Sequence, residues 1–449
     1  MQQSQENKMG TMPVSHLILT MSVPAILSMT VQALYNIVDS YFVSQISEKA
    51  LTAVSLVFPM QSLLIGVGVG TAVGLNSLIS RRLGEKHQEE ADSAATHGII
   101  LGIFNWILFF LIGLFFSRPF IQCFSSDTAL VKMGTQYMSI VCMASLGVFI
   151  EVNIEKILQA TGNMIYPMVF QLIGAVSNII LDPLFIFGMI GFPKMGVAGA
   201  AVATVIAQTL SMSVALTVLF TKNHAVTIQF HGFRLNPRTI RNIYSVGFPS
   251  IIMQSIGSVM AVGMNAILIA FTPTAVAVFG VYFKLQSFVF MPVFGLMQGV
   301  MPILGYNFGA RKRSRLMKTI TISTVTAVAI MTAGTVVFLA VPDRLLLIFN
   351  ATQNMLDIGI PALKTICLSF IPAAVGISFS NVFQAIGHGF SSLLISVLRQ
   401  MVVLLPVSFF LARFGLSYVW YAFPLAETVS LIASVFIFLH LYRTCMKNL

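Results

Sequence analysis

The sequence repeats itself at half its length. Displaced so that Pro24 falls on Pro249, it also lays Phe58 on Phe283 and Gln61-Ser62 on Gln286-Ser287. The same displacement lays Gly74 on Gly299, Gly84 on Gly309, and Gln159-Ala160-x-Gly162 on Gln384-Ala385-x-Gly387. A second, slightly shorter offset aligns Gly196 with Gly415 and Ala207-x-Thr209-x-Ser211 with Ala426-x-Thr428-x-Ser430. The second half has therefore lost residues in a loop between the two alignments. Whatever this chain folds into must be built of two similar halves.

The halves are apolar. Of 449 residues 57% are hydrophobic and 9% are charged, where a soluble domain carries roughly 25% charged residues. Stretches between charge clusters are long enough to cross about 30 Å of hydrocarbon as helices. Twelve spans are expected, near 15–43, 51–80, 95–117, 131–158, 164–189, 196–221, 242–271, 275–306, 317–341, 357–386, 389–412 and 416–442. Several exceed the bilayer thickness and should tilt or bend. The predicted fold is all-α: a polytopic membrane protein of 12 transmembrane helices in two pseudo-symmetric six-helix bundles. Residues 1–221 form the N-terminal bundle, 222–241 a cytoplasmic linker with a short surface helix, and 242–449 the C-terminal bundle. Two similar halves in an apolar chain point to a secondary transporter with its site between the repeats.

The net charge of +11 does not call for nucleic acid, because the basic residues are sorted by loop. Arg81, Arg82 and Lys86 follow span 2. Lys222, Arg234, Arg238 and Arg241 follow span 6, and Arg311, Lys312, Arg313, Arg315 and Lys318 follow span 8. This bias is the positive-inside pattern and places both termini in the cytoplasm. The polar opening and long first apolar run argue against a cleaved signal peptide. Cys123, Cys142, Cys367 and Cys445 are scattered and read as buried membrane residues rather than a disulfide framework. No G-x-x-x-x-G-K-[ST] motif occurs, so ATP is not expected and energy should come from an ion gradient or from a partner protein. No cofactor is expected either. Gly66, Gly70 and Gly74 repeat every four residues inside a span; that spacing makes a smooth helix face for close packing, not a phosphate loop.

Ionisable groups inside a bilayer are costly and default to function. Tyr35, Asn36 and Asp39 share one turn of span 1, and Asn178 and Asp182 repeat the i, i+4 spacing in span 5. Pro183 follows Asp182 and lacks an N–H, which frees the carbonyl of Ile179. A carboxylate, an amide oxygen and a freed carbonyl suit a small hard cation, and a buried carboxylate equally suits a proton. The displaced counterparts of Asp39 and Asp182 are Met264 and Val407, so one half alone supplies this chemistry. Glu151, Lys284 and Arg399 are further charges within spans, and Gln32, Gln254 and Gln298 are polar; these six are candidates for a substrate cavity. A local ion pair or a gate is expected for Glu155-Lys156, and a polar helix contact for Glu427, which stands at the repeat position of Gln208. No nucleophile–base or metal-ligand constellation appears, so an enzyme is not expected.

Over essentially its whole length the chain resembles the multidrug and toxic compound extrusion (MATE) transporters of the MOP fold. The matches are Pro24 with Tyr35-Asn36-x-x-Asp39, Ser80-Arg81-Arg82-Leu83-Gly84, I-L-Q-A-T-G-N at 157–163, N-I-I-L-D-P at 178–183 and G-V-A-G-A-A-x-A-T at 196–204. With both acids in the N-terminal half it resembles the DinF-like branch. Gln254 or a neighbour stands where the NorM branch carries a coupling glutamate. The resemblance implies export of cationic or amphipathic small-molecule drugs across the cytoplasmic (inner) membrane of a bacterium or archaeon, by a monomer, in exchange for H+ or Na+. It implies an ion site at Tyr35, Asn36, Asp39, Asn178, Asp182 and Thr204, with Na+ placed among Tyr35, Asn178, Asp182 and Thr204. Pro24, and by its own chemistry Pro183, mark helix hinges. The alternative on a related scaffold is a flippase for lipid-linked oligosaccharides, for which Lys284 and Arg399 are the best support.

Overall fold

A computed structural model describes residues 7–447 and 449 and, within its helices, all side chains but those of Asn36, Ile37, Ser40, Ser44 and Glu48. The described residues form helices and loops, with no strand among them. Their principal helices are α1 (Val14–Ser44), α2 (Glu48–Gly84), α3 (Gln88–Phe115), and α4, a pair (Thr128–Met143 and Leu146–Ala160) bent by 44°. Then follow α5 (Ile165–Phe187), α6 (Val197–Thr221), α7 (Pro237–Ile269), α8 (Pro273–Gly309) and α9 (Arg313–Ala340). The last are α10 (Gln353–Ala385), α11 (Gly389–Phe414) and α12 (Leu416–Met446). Eleven of these are long and apolar enough to cross a membrane, and the bent pair brings the number to 12. The protein is thus a multi-pass, all-helical membrane protein.

The sequence repeat is, in structure, a repeat of helix ends. Ser47 caps α2 by accepting from the Ala50 amide at 3.0 Å, and its repeat counterpart Thr272 caps α8 by accepting from the Thr274 amide at 3.3 Å. Asp127 and Thr352 cap α4 and α10 in the same relation. The Lys49 ammonium, 2.8 Å away, and the Ala129 amide hold the Asp127 carboxyl below the usual carboxylate range. Gly162 (φ 90°) and Gly387 (φ 93°) end α4 and α10 in left-handed turns. Their amides donate to the carbonyls of Gln159 and Gln384. A side chain would be strained in that conformation, which accounts for the repeated Gln-Ala-x-Gly.

By packing, the chain divides into two compact units, Leu27–Ile251 and Met1–Ile26 with Ile252–Leu449. The divisions fall inside α1 and α7, so each unit is completed by the first half of one of these helices. In the first unit the start of α7 lies on α2 at Gly70 and Gly74. A Cβ on Gly70 would stand 2.8 Å from the Ile251 amide nitrogen, and one on Gly74 would meet the Ile243 carbonyl. In the second unit the start of α1 lies on α8 at Gly295 and Gly299, the counterparts of Gly70 and Gly74. There a Cβ would stand 2.6 Å from Ile26 Cα and 2.7 Å from Ser22 Cα. The glycine spacing is a seat for a neighbouring backbone.

The bend of α4 has a local cause. The helix breaks at Ala144-Ser145, and the carbonyl released at Met143 accepts from Trp106 Nε1 at 2.8 Å. The 222–236 segment differs from expectation: it holds no helix and lies as a strap on the start of α3. The Thr227 amide and hydroxyl donate to Asp92, the Gln229 amide to the Thr96 hydroxyl, and the Asn236 amide to His97 Nε2. Polar side chains of α3 thus take up the strap's backbone groups, which a surface helix would have satisfied internally. The cysteines are all free; Cys142 and Cys367 are buried as expected, whereas Cys123 is exposed and Cys445 half-buried.

Candidate ion site of the Leu27–Ile251 unit

Three helices of this unit bring five of the expected residues together. Helix α1 carries Tyr35 and Asp39 on one face, α5 carries Asn178 and Asp182, and α6 carries Thr204. The carboxyl groups of Asp39 and Asp182 lie close enough to interact directly, as do the Tyr35 and Thr204 hydroxyls. Asp182 is fully buried, and Asn178 and Thr204 nearly so. With its amide nitrogen turned toward the carboxyl, Asn178 donates to Asp182 Oδ2 at 2.8 Å and accepts from the Thr204 amide at 3.2 Å. Thr204 is itself fixed by donating to the Ala200 carbonyl at 3.0 Å. The side chain of Asn36 lies outside the described residues. Pro183 is inside α5, one residue past Asp182, and Pro24 inside α1.

This arrangement does specific chemistry. Two carboxylates in contact repel, and a hydrogen bond between them needs a proton on one. Asp39 Oδ1 and Asp182 Oδ1 are buried and make no hydrogen bond to the described residues. Buried polar atoms left in that condition are costly, and such sites answer readily to ions. Tyr137, on the first segment of α4, is near enough to both carboxyl groups and Tyr35 to feel their charge, and accepts from Gln61 Nε2 at 3.1 Å. Sequence reasoning missed Tyr137, because a lone tyrosine in an apolar span carries no periodic or motif signal. Gln61 was marked only by its repeat at Gln286.

The residues expected to line a substrate cavity are divided between the two units. Gln32 is half-buried on α1 and Glu151 lies on the second segment of α4. Glu151 accepts from the Ser211 hydroxyl at 3.3 Å. One turn on, Glu155 and Lys156 form a buried ion pair at 3.1 Å, closed by Gln159 and by Gln171 Nε2, which donates to Glu155 at 2.9 Å. In the other unit Gln254 and Lys284 are exposed, with Lys284 Nζ over the Phe349 ring at 5.7 Å, and Gln298 is half-buried on α8. Arg399 Nη1 pairs with Glu427 at 3.3 Å, so Glu427 does make a polar helix contact, and a charged one.

Comparison with known proteins sets this geometry in a family. The MatE family model matches twice, at residues 24–184 and 249–410, and the two matches start at Pro24 and Pro249, the positions that the sequence repeat superposes. The multidrug export protein MepA of Staphylococcus saprophyticus is 25% identical over 418 residues, covering 93% of this chain and 91% of the relative. MepA of Staphylococcus aureus (strain bovine RF122) is 25% identical over 435 residues, covering 95% and 93%. Among solved structures, an outward-facing multidrug resistance MATE transporter of the MOP superfamily superposes with a TM-score of 0.93 at 24% identity, covering 99% of each chain. A MOP superfamily transporter from Pyrococcus furiosus, described as having a binding pocket of reversed polarity, gives 0.92 at 24% identity and the same coverage. These likenesses establish the MATE/MOP fold, and MATE proteins are transporters rather than enzymes. The chain belongs to the MatE family.

Proposed function

We propose that the chain exports cationic, amphipathic small molecules across the cytoplasmic membrane, both termini inside, in exchange for protons carried by Asp39 and Asp182. The observation that carries this reading is the close approach of the two carboxyl groups, each with a buried oxygen that makes no hydrogen bond to the described residues. A proton held there is released when the pair ionises, and the resulting negative field favours a cation. Proton and drug then compete, and each shifts the transporter only by its differential affinity for the two states. Tyr35, Asn178 and Thr204 hold the carboxyls in place.

Six-helix lobes, residues 1–221 and 242–449 with the 222–241 connection, would alternate access as a monomer, with Pro24 and Pro183 as points where α1 and α5 change shape. A MATE protein solved in both straight and bent conformations, with TM-scores of 0.93 and 0.91 to this chain, supports such flexibility in the fold. The relatives named as export proteins do not favour the lipid-flippase alternative.

The test is ethidium efflux from proteoliposomes under an imposed pH gradient or, separately, an imposed Na+ gradient. Wild type should respond to the pH gradient, and Asp39→Asn and Asp182→Asn should lose that response while remaining folded. Efflux driven by Na+ alone, or undiminished in both variants, overturns the proton reading. Absence of efflux under either gradient in folded protein removes ethidium and returns the flippase to contention.

A further inference from the structure

The turns that join α2 to α3 and α8 to α9 are repeat counterparts with one backbone and different charge. Each has a basic residue in the left-handed region, Lys86 (φ 62°) and Arg311 (φ 53°). In each the next amide closes the turn: His87 donates to the Arg82 carbonyl and Lys312 to the Asn307 carbonyl. In the first unit Glu85, Glu89, Glu90 and Asp92 accompany the bases, and Arg82 pairs with Glu85 and with Glu90. The displaced positions of those four acids are Ala310, Ser314, Arg315 and Met317. No acid remains between Gly309 and Lys318, where Arg311, Lys312, Arg313 and Arg315 stand.

Two of these bases are already engaged. Lys312 Nζ donates to the Gly10 carbonyl at 3.0 Å, and Arg315 Nη2 donates to the carbonyls of Met9 and Met12 at 3.1 and 2.6 Å. Arg313 lies over the Tyr442 ring and donates to its hydroxyl, so the start of α9 meets the end of α12, where Arg443 follows. Arg311 and Arg443 are exposed, and their side chains meet no carboxylate among the described residues. The described acids of this unit stand elsewhere. Asp343 follows the far end of α9, roughly 40 Å along the helix, Asp357 lies near the start of α10, and Glu427 pairs with Arg399. Beside the bases, Ile432, Phe436 and Leu439 are exposed along one face of α12, and Arg443 stands one turn beyond Leu439.

We propose that this end of the unit binds an anionic phospholipid, with the headgroup phosphate at Arg311, Arg313 and Arg443 and the acyl chains along Ile432, Phe436 and Leu439. Basic clusters immediately beyond membrane helices attract acidic headgroups in this way. The apolar stripe that runs up to Arg443 favours a lipid over a free phosphate, and a zwitterionic lipid would bring its own cation to the arginines. Binding needs the folded protein in a membrane or detergent and no gradient, so the proposal does not depend on proton coupling at Asp39 and Asp182.

Native mass spectrometry of purified full-length protein in neutral detergent tests it. The probes are dioleoylphosphatidylglycerol, dioleoylphosphatidylcholine and glycerol 3-phosphate: an anionic lipid, a zwitterionic lipid and a soluble phosphate. Phosphatidylglycerol should bind at least about tenfold more tightly than either of the others. Ala310→Glu with Ser314→Glu installs acids where the first unit has them and removes no base; it should weaken that binding by about tenfold. Arg311→Gln with Arg443→Gln should do the same. Arg234→Gln with Arg238→Gln removes two exposed bases from the other unit and should change binding by less than about twofold. Equal binding of the two lipids, glycerol 3-phosphate binding as tightly as phosphatidylglycerol, or unchanged binding in either of the first two variants would overturn the proposal. So would an equal loss in the Arg234 and Arg238 variant, which would leave only a diffuse attraction of basic loops for an anionic surface.

Discussion

In the Leu27–Ile251 unit, Tyr35, Gln61 and Thr204 belong to the surroundings of two carboxyl groups. At the same repeat positions the other unit has Met260, Gln286 and Phe423, and all three line the cavity that holds Arg399 and Glu427. One helix plan therefore frames two different charge pairs. The first is a pair of like charges, which can be in contact only while it shares a proton, so its state depends on proton supply. The second neutralises itself and needs no proton. Duplication supplied the frame twice, and substitution gave each copy its own chemistry.

The largest expected effect separates the two pairs by function. Asp182→Asn should lower pH-gradient-driven efflux of ethidium by about a hundredfold, equivalent to roughly 2.7 kcal/mol. Glu427→Gln should change it by less than about threefold. Similar losses in both would erase the contrast.

Next comes stability of the opposite-charge pair. Glu427→Gln leaves the guanidinium unpaired, and because the two side chains are 26% and 17% exposed the cost should be about 2 kcal/mol, below that of a fully buried pair. Arg399→Met with Glu427→Leu should come within about 1 kcal/mol of wild type. Thermal midpoints in detergent decide this; a double variant less stable than the single one would mean that the pair itself stabilises the unit.

The shared frame makes a prediction of equality. Gly74→Ala and Gly299→Ala should each destabilise by about 1–3 kcal/mol, since each adds a methyl where a neighbouring backbone already sits. A tolerated change at one position and a severe one at the other would break the structural symmetry. Smallest is Tyr137→Phe, which removes the hydroxyl that accepts from Gln61 and should cost about 1 kcal/mol in thermal stability. A loss of efflux as large as that of Asp182→Asn would instead place Tyr137 in the proton path.

Much of this was legible in the sequence for physical reasons. Hydrophobic length revealed the spans, and repeated Gln-Ala-x-Gly marked turns that only glycine adopts without strain. Paired acids with amide neighbours at i, i+4 stood out because a bilayer makes them costly. Other features left no mark. Division of α1 and α7 between units depends on which backbone the glycines of α2 and α8 receive, and spacing alone does not say whose it is. The 222–236 strap needed Asp92, Thr96 and His97 from a distant helix. Tyr137 reached the acids only through tertiary packing. The π-helical stretch Leu398–Leu404 inside α11, which brings both Arg399 and Gln400 to the cavity wall, has no pattern in L-R-Q-M-V-V-L.

The most direct test of the central claim counts protons released when ethidium binds purified protein in weakly buffered detergent solution. The account predicts release of about one proton per bound cation in wild type, and none in Asp39→Asn or Asp182→Asn. Binding without proton release in wild type, or the same release in wild type and both variants, would contradict it.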